Sequence, residues 1–472
     1  MSDKLELVTI LLTSFLDKQY YRNGNAAAKR LTQLVAKIPD KQFIAKAALY
    51  ARREAGMRSV SHLIAGEIAH NVKGEEWTKR FFDRVVFRVD DVLEILAYYL
   101  AVYRKPLPNS LKKGLGQALT RFDDYQLAKY RRGSASLNLV DAVNLVHPPH
   151  TPAIRRLIDG SLAPAGTWET KLTQAGQTAE SDKDKAEQKG AVWTELIRER
   201  RIGYFALLRN LRNILVQAPE MIDEAITMLT DKTLIRRSLV MPFRYRAALD
   251  AIEDASALDQ PMLKAAIDRV FKGGADIRAL RQKVITALNV AVDHSLDNVP
   301  RFKGRTLIAM DCSGSMIGKP MKVGSLFSAV LYKVNDADLM LFSGDARYVT
   351  YNRDDATLTI AQRIEDSAEW SGTNFHSIFE RARTAYDRVI ILSDMQAWMN
   401  HWTPAVPFER FVKKTGKRPH VYSFDLAGYG SIQFPENKVY TLSGFSDKTM
   451  ETLRFLEQDK SALIHEIEKI EL

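Results

Sequence analysis

The hydrophobic rhythm of this 472-residue chain changes near residue 300, and that change limits the folds open to it. Over residues 4–293 apolar side chains recur at spacings of three and four, as in Leu5-Val8-Leu11-Leu12-Phe15 and Leu207-Leu208-Leu211-Ile214-Leu215. That is the period of amphipathic helices. Breaks such as Arg22-Asn23-Gly24-Asn25, Ile38-Pro39-Asp40 and Ala218-Pro219-Glu220 divide the stretch into over a dozen helices with little strand signal. No repeat of fixed period is visible, so an array of degenerate helix pairs and an irregular all-α domain both fit. Residues 174–190 lack apolar anchors and read as an exposed loop or a solvated helix.

After Arg301, strand-like runs at 307–310, 339–342, 389–392, 420–424 and 438–442 alternate with helical stretches at 323–334, 358–369 and 377–386. That alternation predicts a doubly wound, mostly parallel sheet with helices on both faces. A last helical segment, 448–470, is expected to pack on the sheet. The chain is too long for one core, and the change of grammar predicts a helical domain over 1–300 and an α/β domain over 301–472.

Asp311-Cys312-Ser313-Gly314-Ser315 directly follows the apolar run 306–310, Thr373 lies in a polar loop, and Asp394 ends the second apolar strand. Ligand sites of open α/β sheets lie beyond the carboxyl ends of strands, where Asp311 and Asp394 are expected. Asp311, Ser313, Ser315, Thr373 and Asp394 together offer two carboxylates and three hydroxyls. That hard-oxygen set suits Mg²⁺ or another divalent cation with an open position left over. The bland reading is a strand end whose Asp and Ser side chains cap the next helix. The pattern resembles the metal-ion-dependent adhesion site of von Willebrand factor A-type domains, and the resemblance implies that a partner's carboxylate fills the open position.

Composition narrows the function classes. No stretch is apolar enough to span a bilayer, and the amino terminus has no basic region leading into an apolar segment, so a soluble cytoplasmic protein is expected. The single cysteine, Cys312, fits a reducing compartment and reads as a small apolar filler. Residues 301–472 carry 22 basic and 22 acidic side chains, so the net charge of +11 comes entirely from the first 300 residues. That asymmetry points to a polyanionic partner for the helical part. Gly314 and Gly318 are too sparse for a phosphate-cradling loop, and Ser313 is in no Gly-x-Ser-x-Gly elbow, so an enzyme is not expected.

The densest positive stretch runs over 104–137 and includes Lys112, Lys113, Lys129, Arg131 and Arg132, with Tyr125 and Tyr130 interleaved. Cations neutralise phosphates and rings stack on unpaired bases, although both tyrosines could equally be core residues. Arg209 and Arg212 lie three apart on an apolar helix and either line an RNA path or form structural ion pairs.

The segments 122–130 (FDDYQLAKY), 145–149 (LVHPP) and 202–213 (IGYFALLRNLRN) resemble signature segments of the TROVE module of the Ro autoantigen family, and 167–169 and 241–245 are similar to further ones. A TROVE module followed by a von Willebrand factor A-type domain is that family's order, so the resemblance, to bacterial or phage-type Ro proteins, covers nearly the whole chain. It implies HEAT-like helical repeats closed into a ring, followed by a doubly wound, Rossmann-like A-type domain. It also implies a monomer that binds small structured Y-like RNA and single-stranded 3′ ends of misfolded noncoding RNA for quality control, processing or decay. An exoribonuclease tethered through the RNA is an implied partner. Carried over by motif, Lys129, Arg131, Arg132 and His147 fall on the Y RNA surface. Pro149 stands where relatives often have Lys, and a lone His such as His147 could instead serve capping, turn or core hydrogen bonds. A metal-dependent module that recruits an acidic protein partner is the alternative function.

Overall fold

A computed structural model describes residues 2–13, 26–131, 137–254, 277–299, 301–394, 405–426, 439–443 and 460–472. Among the described residues no helix is long and apolar enough to cross a membrane. The chain forms two compact units, one of residues 1–166 with 422–472 and one of residues 167–421.

The first unit is built from helices with capped starts. Asp40 accepts from the Phe43 amide at 2.9 Å to begin Lys41–Arg53, and Asp123 and Gln126 form a reciprocal capping box for Asp124–Lys129. Thr151 followed by Pro152 opens Pro152–Ile158, the proline giving up an amide that would have had no partner. The apolar stripes of these helices merge into one core. In its middle lies Asp91, fully buried on Val89–Tyr103, which accepts from Arg52 at 2.8 Å, from His62 at 2.9 Å and from Arg58 at 3.1 Å. Those partners stand on or at the start of Lys41–Arg53 and Ser59–Asn71, so one carboxylate joins three helices.

The carboxy-terminal helix corrects an expectation. Described over Lys460–Glu468, it does not lie on the sheet; Leu463 and Ile467 are buried with the helical core, and Lys46 donates to the Glu468 carbonyl at 2.7 Å. Its apolar stripe is compatible with either surface, and local periodicity does not choose between them. Residues 448–459 of the expected helix lie outside the described residues.

The second unit begins with helices, including Asp182–Arg198, Tyr204–Gln217, Phe243–Glu253 and Ile277–Ser295. The polar stretch 174–190 is the end of one helix, a short turn and the start of Asp182–Arg198, where residues 184–189 are half-buried apart from the exposed Glu187. The α/β portion follows, with strands β1 (Thr306–Asp311), β2 (Ala337–Phe342), β3 (Ala346–Val349) and β4 (Arg388–Ser393) in the order β3-β2-β1-β4, while β5 (His420–Asp425) runs across the boundary and β6 (Val439–Ser443) belongs to the first unit. β1 is buried along its whole length, as its unbroken apolar run requires of a central parallel strand. It pairs in parallel with β2 and β4.

β3 was not expected, and it runs antiparallel to β2. It is a short, partly exposed edge strand with a single Tyr-Val pair, below the threshold of a period-two signal. The helices around the sheet are also shorter than their apolar stripes suggest, at Thr357–Asp366 and His376–Arg381.

The compact units do not follow the change of grammar at residue 300. Within the second unit Phe243 meets Phe327 edge-on at 5.3 Å, Arg246 pairs with Glu365 at 3.2 Å, and Lys322 pairs with Asp250 at 3.1 Å. Helices from the first grammar thus share a core with the α/β portion.

Candidate cation site and nucleic-acid surface

Beyond the carboxyl ends of β1 and β4, at the point where the chain leaves β1 to either side, three loops approach one another. Asp311 is fully buried, with Oδ1 accepting from the Ser313 amide at 2.8 Å and Oδ2 accepting from the Ser393 hydroxyl at 2.6 Å. Ser313 Oγ lies 3.2 Å from the exposed Ser315 Oγ. The second loop is held against the first by backbone bonds, Trp370 N to Cys312 O at 3.1 Å and Gly314 N to Ser371 O at 3.0 Å. A Cβ on Gly314 would stand 3.3 Å from the Trp370 carbonyl, so glycine permits the approach. Trp370 itself adopts φ of 52°, a left-handed strain held by these bonds. Thr373 is buried on that loop, and Asp394 is buried directly after β4.

Burial pushes the Asp311 carboxyl up to about 6, and the neighbouring Asp394 adds to the shift. Among the described residues, no basic side chain is a partner of Asp311. Two buried carboxylates with the hydroxyls of Ser313, Ser315 and Thr373 on the same three loops fit a hard divalent cation. Among the described residues no three His, Cys, Asp or Glu side chains gather to hold a metal, so a cation here would depend on the hydroxyls. Ser393 is the residue that sequence reasoning missed; its hydroxyl sits one position before Asp394, on the strand paired with β1. Cys312 is buried, and burial raises its thiol to about 12, as for an inert filler.

The basic residues lie on two units. In the first, Lys112 is half-buried and Lys113 exposed on Asn109–Leu119, while Lys129, Arg131 and His147 are all exposed. A Cβ on Gly116 would stand 3.2 Å from the Val146 carbonyl and 3.3 Å from Pro148 Cα. Gly116 therefore lets that helix reach the His147-Pro148 turn, and Lys112 and Lys113 share its face at three and four residues' spacing. His147 is no core residue; it ends Leu139–Val146 in a left-handed conformation at φ of 48°, its amide donating to Val143. Arg132 lies outside the described residues. Tyr125 is 51% exposed, whereas Tyr130 is partly buried against the core and accepts from Arg88.

Arg209 and Arg212 belong to the second unit, on Tyr204–Gln217, exposed and half-buried respectively. Neither forms an ion pair among the described residues.

The architecture defines a class: a helical-repeat protein carrying a von Willebrand factor A-like α/β portion. The chain belongs to the TROVE domain family, whose pattern matches residues 3–157 and 160–262, more than half of its length. The crystal structure of the Ro (RSR) protein of Deinococcus radiodurans aligns over 96% of this chain and 99% of that one, with a TM-score of 0.67 and 18% identity, and shares the fold. Telomerase protein component 1 of Mus musculus is 22% identical over 340 residues, covering 54% of this chain and 13% of the relative. The Rattus norvegicus counterpart is 23% identical over 137 residues, covering 27% of this chain and 5% of the relative. The chain therefore spans only a small part of those relatives. Membership in the TROVE family implies RNA binding in general.

Proposed function

We propose that this chain is a non-catalytic RNA scaffold, a cytoplasmic monomer that holds a small structured Y-like RNA. In this reading it also takes single-stranded 3′ ends of misfolded noncoding RNA into quality control, processing or decay, with an exoribonuclease tethered through the RNA. The observation that carries this reading is the set of exposed cations Lys113, Lys129 and Arg131 with His147 on one helical unit of a TROVE chain. Phosphate neutralisation releases counterions, so affinity for RNA falls steeply with salt. Replacing Lys129 and Arg131 together by Glu is expected to weaken binding of a stem-loop RNA and to flatten the logarithmic salt slope by about 0.9 for each phosphate no longer neutralised. An unchanged slope would remove this surface from the reading. Sequencing of RNA that co-purifies with the intact chain names the clients.

A second reading rests on the burial of Asp311 beside Asp394 and the serine hydroxyls. Asp311, Ser313, Ser315, Thr373 and Asp394 would hold Mg²⁺, which supplies a hard Lewis acid that attracts a carboxylate. In that arrangement the chain recruits an acidic protein partner, and the helical part serves as its scaffold. Calorimetric titration with Mg²⁺ tests this second reading, which can hold together with the first: heat of binding that vanishes in Asp394→Asn supports the cation and silence in the parent chain removes it.

A further inference from the structure

The helix Asp124–Lys129 packs beside Pro152–Ile158, and an open hollow of about 500 Å³ lies where their first turns meet. Its lining includes Phe122, Asp123, Asp124, Tyr125, Pro152 and Arg156. Leu127 anchors the first of these helices in the core, while Tyr125, two positions earlier, is left 51% exposed. Across the same hollow, the Arg156 guanidinium is gripped by Asp124 through two bonds, Nε to Oδ2 at 2.8 Å and Nη2 to Oδ1 at 2.9 Å. That bidentate pair fixes the plane of the guanidinium yet leaves 44% of the Arg156 side chain exposed.

The hollow is chemically unlike its surroundings. Phosphate is disfavoured inside it, because Asp123 and Asp124 supply carboxylates and Asp124 already occupies Arg156. Cations instead stand further along the same two helices. Lys129 and Arg155 are exposed on the two helices, and Arg131 reaches to 3.7 Å from the Cβ position of Gly160, just past the end of Pro152–Ile158. A neutral, flat group with hydrogen-bond donors on its edge suits the interior, and a polyanion suits the surroundings. A nucleotide unit of RNA has both, provided its base is free of the helical stack.

We infer that this hollow is a binding subsite for an unpaired base of bound RNA, with the Tyr125 ring and the Arg156 guanidinium as stacking planes. Asp123 is the acceptor for an exocyclic amine, and Lys129 and Arg131 meet the flanking phosphates. The inference rests on the RNA-binding reading and adds to it a specific ligand, a single-stranded position rather than a duplex backbone.

Two RNA probes test it on the intact chain: stem-loops carrying 2-aminopurine at successive loop positions, and a blunt duplex of the same stem. For Tyr125→Ala the expected result is binding of the stem-loop weakened about 5- to 100-fold, with loss of 2-aminopurine quenching at one loop position. Tyr125→Phe, which keeps the ring, is expected to stay within about twofold of the parent. The duplex is expected to bind Tyr125→Ala and the parent equally, and the salt slope is expected to be unchanged, because the same phosphates stay neutralised. Parental affinity of Tyr125→Ala for the stem-loop, or equal losses on stem-loop and duplex, would overturn the subsite and leave RNA binding standing. A parent chain that binds neither probe would overturn the RNA-binding reading and the subsite with it.

Discussion

Asp311 shows how much one buried carboxyl can govern. Its pKa of about 6 lies above the ordinary 3.8, so between those values the native state keeps a proton that the unfolded chain has released. Stability from this group is fully present below the unfolded value and is lost as pH rises through about 6, amounting to about 3 kcal/mol at most. The melting temperature in EDTA is therefore expected to fall between about pH 4 and pH 6. A bound divalent cation favours the ionised form, so added Mg²⁺ should restore stability above pH 6 and do little below it. Asp311→Asn removes the charge while keeping the shape; it is expected to abolish both the pH-dependent fall and the Mg²⁺ response in differential scanning calorimetry. A melting temperature flat across this range in the parent chain would contradict the raised pKa.

At the scale of elements, Asp91 decides how three helices of the first unit meet. Burial alone would raise its carboxyl; the His62 hydrogen bond and charge, with the Arg52 and Arg58 guanidiniums, instead hold it far below the usual carboxylate range. A depressed pKa contributes stability above the unfolded value of 3.8, lost as pH falls below it. Acid is therefore expected to loosen this unit from about pH 4 downward. Asp91→Ala leaves Arg52, 7% exposed, without its carboxylate and is expected to cost about 3–5 kcal/mol in urea unfolding. The backbone amides of Phe87 and Arg88 also donate to Asp91, each at 2.9 Å, so the start of Val89–Tyr103 should show faster amide exchange in the variant.

Across the whole molecule, the second unit joins the two sequence grammars through side chains far apart in the chain. Asp293, on Ile277–Ser295, accepts from the Thr357 amide at 3.1 Å and pairs with Lys333 at 3.2 Å. Thr357 opens the helix Thr357–Asp366, whose first amides have no intrahelical acceptor, so Asp293 acts as a capping carboxylate supplied from another helix. Asp293→Ala is expected to cost about 1–3 kcal/mol and to lower the stability of the α/β portion, although the substitution lies outside it. Chemical denaturation followed by tryptophan fluorescence checks this, and a variant as stable as the parent would refute the coupling.

Much of this was legible in the residues themselves. The helical period, the buried parallel strands β1, β2 and β4, the Asp-x-Ser-x-Ser loop and the basic bias before residue 300 are local properties, each carried by neighbours a few positions apart. They determined the element types, the class of fold and the chemistry each part offers. Other features depended on which surfaces meet. The short antiparallel β3, the seat of the carboxy-terminal helix on the helical core, the Ser393 hydroxyl on Asp311 and the Asp124 grip on Arg156 all join residues whose spacing in the chain carries no period. An apolar stripe specifies that a helix must bury one face; only competition among every available surface decides against what, and that competition is settled by the tertiary structure.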